Sequence, residues 1–342
     1  MTMPEQDDRI DAYLWDPAAP PAADVQDFER MLEPLRFEPA KAALVWPVPA
    51  VAGHSRRRWV YSLAAAAALV LAAGSLAAAW RWSWPAGRAW TITNAAPAVP
   101  GRLAVGSALT LAGSERASIR IARIGTMRVE GDARLTLQST QGTRHRVNLD
   151  RGTVRVRVWA PPGSVVFRTP SGEVIDVGCE FDLTAEAARS VVRVRSGWVQ
   201  LDNGIAEVLV PAGAMSEMRA NRAPGVPVFE NAAPGFLVAV RDLEDEQGAT
   251  GAEAVNTIVT LARPRDVLTL LMLVERRAPG SAEIASRAAE LWPPPDGVTA
   301  NGVARGDRDG LWRWRDTLPL PPPKGWIRNW RDALPDWLIG RE

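Results

Sequence analysis

Through the middle of this chain apolar side chains return at every second residue. Val154, Val156 and Val158 alternate with Arg155 and Arg157, and Val192 and Val194 alternate with Arg193 and Arg195. Ile119 with Ile121, Leu135 with Leu137, and Val208 with Val210 repeat the pattern. A period of two gathers one set of side chains on a single face of an extended strand; a helix would scatter them around its circumference. Glycines at Gly113, Gly125, Gly131, Gly142, Gly152, Gly163, Gly172, Gly197, Gly204 and Gly213 break the alternation about every ten residues. Short strands between such turn signals describe a sandwich, jelly roll or related wound β structure. The arginines on the odd face are most simply the solvated side of each strand. From Arg88 to Arg222 there are eighteen basic and twelve acidic residues, an excess that would also suit a polyanion such as a wall polymer or anionic lipid.

A second feature sets the expected topology. Trp59 to Trp80 is a run of twenty-two residues with no charged side chain. As a helix it would extend ~33 Å, against a hydrocarbon core of about 30 Å. Arg56, Arg57 and Arg58 precede it, Trp59 and Tyr61 mark one border, and Trp80, Trp82 and Trp84 mark the other. The pattern predicts a transmembrane helix with a basic flank over 56–82. The arginine side would be cytoplasmic and the bulk of the chain periplasmic, in a bacterial inner membrane. A buried alanine-rich core helix and a signal peptide cleaved after Ala77-Ala78-Ala79 are the competing readings. The fifty-five residues ahead of the arginines favour a retained anchor.

The flanking regions read as helical. In residues 1–55, Ile10, Tyr13 and Leu14, and then Val25, Phe28, Met31 and Leu32, fall at helical spacing in an acidic stretch. Pro34 ends the second group. Amphipathic helices dock through such anchors, so Tyr13, Leu14, Trp15, Phe28 and Leu32 are the candidate partner-binding residues. After a β domain over 83–230, residues 231–342 turn helical and rich in tryptophan and proline. Ala252–Leu261 and a segment from Pro264 through Val274 carry apolar helical stripes, and Ser281 is a candidate N-cap. Trp326, Trp330, Leu334, Trp337 and Leu338 share one helical face, suited to core packing or to a membrane surface.

Composition limits the chemistry. Two histidines, His54 and His145, and one cysteine, Cys179, provide neither a Cys/His zinc set nor an intrachain disulfide. A thiol nucleophile would need His145 as its base; the plainer reading of Cys179 is a small buried apolar residue. There is no phosphate-cradling glycine loop, nucleophile elbow or paired metal carboxylates. The expectation is a protein that is not an enzyme, with no cofactor and no catalytic or metal site. A net charge of +1 gives no reason to expect direct nucleic-acid binding.

Five segments in order then resemble one family. They are Leu149-Asp150-Arg151-Gly152-Thr153-Val154, Phe167 to Val174 with its Thr169-Pro170-Ser171-Gly172 turn, Val177-Gly178-Cys179-Glu180-Phe181-Asp182-Leu183, Val192 to Val199 around Gly197, and Pro211-Ala212-Gly213. Together they resemble the extracytoplasmic domain of bacterial FecR-type transmembrane signal transducers. Gly152, Thr169, Pro170, Gly172, Gly178, Phe181, Gly197 and Gly213 are the positions that carry the likeness, as fold markers. The resemblance implies a single-pass signal transducer. Its periplasmic β domain would sense an envelope signal, often through a periplasmic or outer-membrane protein, and its cytoplasmic segment would regulate an extracytoplasmic-function sigma factor. Three departures stand out: the amino-terminal part is short, the carboxy-terminal third is helical, and Cys179 stands where the family has threonine. A membrane-anchored envelope binding or scaffold module without transcriptional output is the alternative.

Overall fold

The structure, a computed structural model, describes residues 23–35, 66–77, 80, 83–95, 99–245 and 251–321. The chain divides into compact units at 1–69 and 70–342. In the first, helix α1 (Ala23–Leu32) runs into a 3₁₀ turn over Glu33–Leu35, where Pro34 cannot continue the α-helical ladder. The described residues 66–77 belong to a second helix, α2.

The expected fold, a single transmembrane helix leading into an all-β sandwich or jelly roll and then a helical region, requires correction. Among the described residues no helix is long and apolar enough to cross a membrane. Alanine dominates the uncharged run; it favours helix but brings little hydrophobic drive, so the absence of charge overstated how apolar the run is. The β region is one large mixed sheet, and the helices share its core.

Fourteen strands build that sheet among the described residues. In chain order they are β1 (Trp90–Thr93), β2 (Arg102–Leu103), β3 (Ala108–Thr110), β4 (Arg116–Ile121), β5 (Gly125–Gln141), β6 (Arg144–Val158) and β7 (Val165–Thr169). They continue with β8 (Gly172–Asp176), β9 (Glu180–Ala185), β10 (Arg189–Ser196), β11 (Trp198–Asp202), β12 (Glu207–Pro211), β13 (Ala214–Arg219) and β14 (Val228–Phe229). The two long strands β5 and β6 form the organising ribbon. The first part of β6 pairs in parallel with β7 through His145–Asn148, leading on to β8, β11 and β12. Its second part pairs antiparallel with β9 through Gly152–Arg157, leading on to β10, β13 and β14. Phe167 of β7 and Phe181 of β9 meet edge to face at 5.9 Å, so the two wings close on each other.

The ribbon turns its corner where its register slips, between Glu130 and Arg134. Asp132 takes φ 48° there, and Gly152 opposite takes φ 107°. A Cβ on Gly152 would lie 2.5 Å from Ala133 Cα, and one on Gly131 would lie 1.6 Å from the Gly113 carbonyl oxygen. Both glycines are therefore required by close approach of backbone.

The remaining helices follow β14: α3 (Pro234–Glu244), α4 (Gly251–Leu261), α5 (Val267–Glu275), α6 (Ser281–Leu291), α7 (Ala300–Ala304) and α8 (Arg308–Asp316). Every residue of α5 from Val267 to Val274 is buried, so this helix is the centre of the layer. It is tied to the sheet side by Thr269, whose hydroxyl donates to the Pro227 carbonyl at 2.6 Å. Ser281 is not the N-cap. Gly280 holds that place at φ 71°, and the Ser281 hydroxyl donates back to Ala278. Trp314 is fully buried and donates to the Trp292 carbonyl, whereas Trp312 stands half exposed beneath Arg315. The apolar face from Trp326 to Leu338 lies outside the described residues.

Replacing Gly152 by alanine should lower stability by about 2 kcal/mol or more. Adding Ala133→Gly should restore part of the loss. Urea denaturation of the two variants measures this; an unchanged midpoint for Gly152→Ala would refute the corner.

Candidate functional site

The outward face of β10 and β13 is not open to water along its whole length. Val191 and Arg193 of β10 and Met215, Glu217 and Arg219 of β13 form the floor of a cleft. Its roof comes from α3 through Leu237, Val240 and Glu244, and from the end of α5 through Leu273 and Arg276. The segment from Arg222 to Val228 closes one side. The cavity is about 730 Å³, within the range of small-ligand sites. Its backbone is already committed, since β10 pairs with β9 and β13, and β13 pairs with β10 and β14.

Seven arginines line the cleft against three acids. Glu244 accepts from Arg276 Nη1 at 2.7 Å and from the Val226 amide at 2.7 Å, while Arg276 Nη2 donates to the Pro224 carbonyl. Burial raises the Glu244 carboxyl above its ordinary value even though the Arg276 charge opposes it. Burial likewise lowers Arg276, against the pull of Glu244. Asp245 bridges Arg219 at 2.7 Å and Arg222 at 2.6 Å, and Glu217 holds Arg219 at 2.6 Å. Among the described residues, Arg193, Arg241 and Arg277 make no ion pair.

Arg193 lacks a counter-ion for a visible reason. Its cross-strand neighbour is Asp182 of β9. That carboxylate is already held by Arg155 at 2.7 Å and by Arg195 at 2.7 Å. Burial would raise the Asp182 carboxyl, but hydrogen bonds from Arg195 and Arg155 outweigh it and hold the group below its ordinary value.

The residues singled out from sequence fall in three places. Phe28 and Leu32 lie on α1, 60% and 43% exposed, in line with Met31 and Leu35 at 70% and 79%. Tyr13, Leu14 and Trp15 lie outside the described residues. The fold markers are structural. Thr169 and Gly172 close the β7–β8 turn around Pro170 and Ser171, with the Thr169 hydroxyl donating to the Gly172 carbonyl. Phe181 is core. Gly178, Gly197 and Gly213 sit at positive φ between strands. Cys179 is buried with its thiol 2.7 Å from Asp176, and His145 is buried against Thr140, so each is engaged with a different partner. Among the described residues no group of three or more His, Cys, Asp or Glu could hold a metal ion. The cleft is not visible in sequence because Arg193 reads as a strand face in water and its other arginines come from separate elements; the excess of basic residues over 88–222 was the only signal pointing towards it.

No family model matches the chain, and no curated protein does. Two crystal structures of a “putative anti-sigma factor” from Parabacteroides distasonis ATCC 8503, at 1.65 and 2.50 Å resolution, are similar at 15% identity and a TM-score of 0.31. The likeness covers 39% of this chain and 63% of theirs, so the chain spans less than two thirds of those proteins. A superposition this loose decides neither fold family nor activity.

Because Asp182 is held below its ordinary value, its ion pairs stabilise the fold above that value, near pH 4, and are lost as pH falls through the lowered one. Asp182→Asn should cost about 1 kcal/mol at pH 7. The difference should shrink as the pH drops below about 4. Denaturation at both pH values measures it; a gap independent of pH would show that the charge is not responsible.

Proposed function

We propose that this chain is a regulatory protein that works by binding rather than by catalysis. In this reading α1 is the output element, docking on a transcription regulator of the sigma-factor class, and the β–α body receives the signal. The supporting observation is the apolar stripe of Phe28, Met31, Leu32 and Leu35, spaced as a helix that fills a partner's groove and left exposed. Exposing four large apolar side chains along one face favours association, since each is worth about 1.5–3 kcal/mol when removed from water. The acidic surroundings of the stripe, with Asp24, Asp27, Glu29 and Glu33, suit a basic partner surface. The ordered segments from Leu149 to Gly213 that resemble FecR proteins support the same assignment at the level of the body.

The test is binding of the full chain to purified extracytoplasmic-function sigma factors from the same cell. Phe28→Ala with Leu32→Ala should weaken a specific complex by about tenfold or more, as loss of buried aromatic and aliphatic anchors does. Arg116→Gln, exposed on β4 and away from the cleft, should leave it unchanged. A complex that tolerates the α1 substitutions, or no complex with any such factor, would remove the reading.

A further inference from the structure

We infer that the cleft between the β10–β13 face and helices α3 and α5 binds a small anionic amphiphile, a molecule with one acid group on an apolar body. The inference rests on the regulatory reading only in naming what the body receives.

Two halves of the cleft call for two halves of a ligand. Val191, Met215, Leu237, Val240 and Leu273 offer an apolar surface between the layers. Around it stand Arg193, Arg241 and Arg277, cations that no carboxylate among the described residues neutralises. Neighbouring acids cannot swing over to serve them: Asp182 is held by Arg155 and Arg195, Asp245 by Arg219 and Arg222, and Glu244 by Arg276. An unpaired guanidinium at the edge of a dry wall is a bidentate partner for a carboxylate or phosphate. An extended peptide is a poorer occupant. The floor is the face of a sheet whose strands are already paired, so a peptide backbone would lie against apolar side chains with its own N–H and C=O groups unsatisfied. An aliphatic or aromatic acid carries no such groups.

Carboxylate and phosphate heads share this chemistry, and a membrane surface could present the latter. Titration calorimetry on the full chain therefore uses octanoate, octyl phosphate and octanol, each below its micelle concentration, with phosphatidylglycerol vesicles as a separate arm. At least one of the two anions should bind tenfold or more tightly than octanol, and the one that does identifies the head group. Arg193→Gln and Arg241→Gln, both at exposed side chains, should each weaken that binding about tenfold without shifting the melting temperature. Val240→Asp should abolish it; should that variant unfold, Leu237→Ser serves in its place. Equal affinity for octanol and the anions, no binding of any monomeric probe, or binding to vesicles alone would overturn the inference. The measurement uses neither α1 nor its partner, so failure here and failure of the docking reading are seen separately.

Discussion

The body depends on one ribbon belonging to both of its wings. Strands β5 and β6 are paired with each other over nearly their whole length, and each changes its outer neighbour halfway along. Hydrogen bonding alone would carry the sheet straight on. The bend arises where Asp132 takes a left-handed conformation and where Gly131 and Gly152 permit backbone contacts that no side chain allows. Once the ribbon bends, Phe167 and Phe181 meet across the interior, and the alternate Val, Leu and Ile positions of both wings fall into one core. Without the corner, each wing would leave an apolar face in water.

The helical layer solves a related problem. Helix α5 is apolar on all sides, which is tolerable only for a helix surrounded by others. Helices α6, α7 and α8 pack against it, and the hydrogen bond from Thr269 to the Pro227 carbonyl ties it to the sheet side. Charged residues line this boundary: Arg219 of β13 pairs across the two layers with Asp245 at the end of α3, while Glu244 and Arg276 join α3 to α5 within the helical layer. The cleft is the space left between two layers whose facing surfaces are only partly complementary.

Strand positions were the most legible part of the sequence. Val154, Val156 and Val158, and Val192 and Val194, are all buried on the face that their spacing assigned to the interior. Helical stripes at Val255 and Ile258 and at Val267 to Val274 were equally readable. Properties that depend on distant partners were not. The outer face of β10 looks like any solvated strand until α3 and α5 cover part of it, and those helices come forty to eighty residues later. The run from Trp59 to Trp80 lacks charge, but absence of charge is not strong apolarity: alanine fills much of it and adds little hydrophobic drive. Ser281 looked like a cap because its residue type suits one, yet Gly280 holds that place in a left-handed backbone, where a Cβ would lie 2.6 Å from Val255 Cγ1. On α1, apolar spacing was visible, but only the structure shows that the described part of the stripe is left uncovered.

One contact bears on how the cleft can behave. Trp198, on β11, donates its indole N–H to the carbonyl of Pro321 at 2.8 Å, just after α8. At the other end of the layer, β14 is hydrogen-bonded to β13, and Arg265 stacks on Phe229 at 4.5 Å. The described helices are thus stapled to the sheet both ahead of α3 and after α8. Walls fastened at both margins do not swing apart like jaws, so passage into the space between them falls to rotations of individual arginine and leucine side chains, which are faster and smaller than a hinge movement.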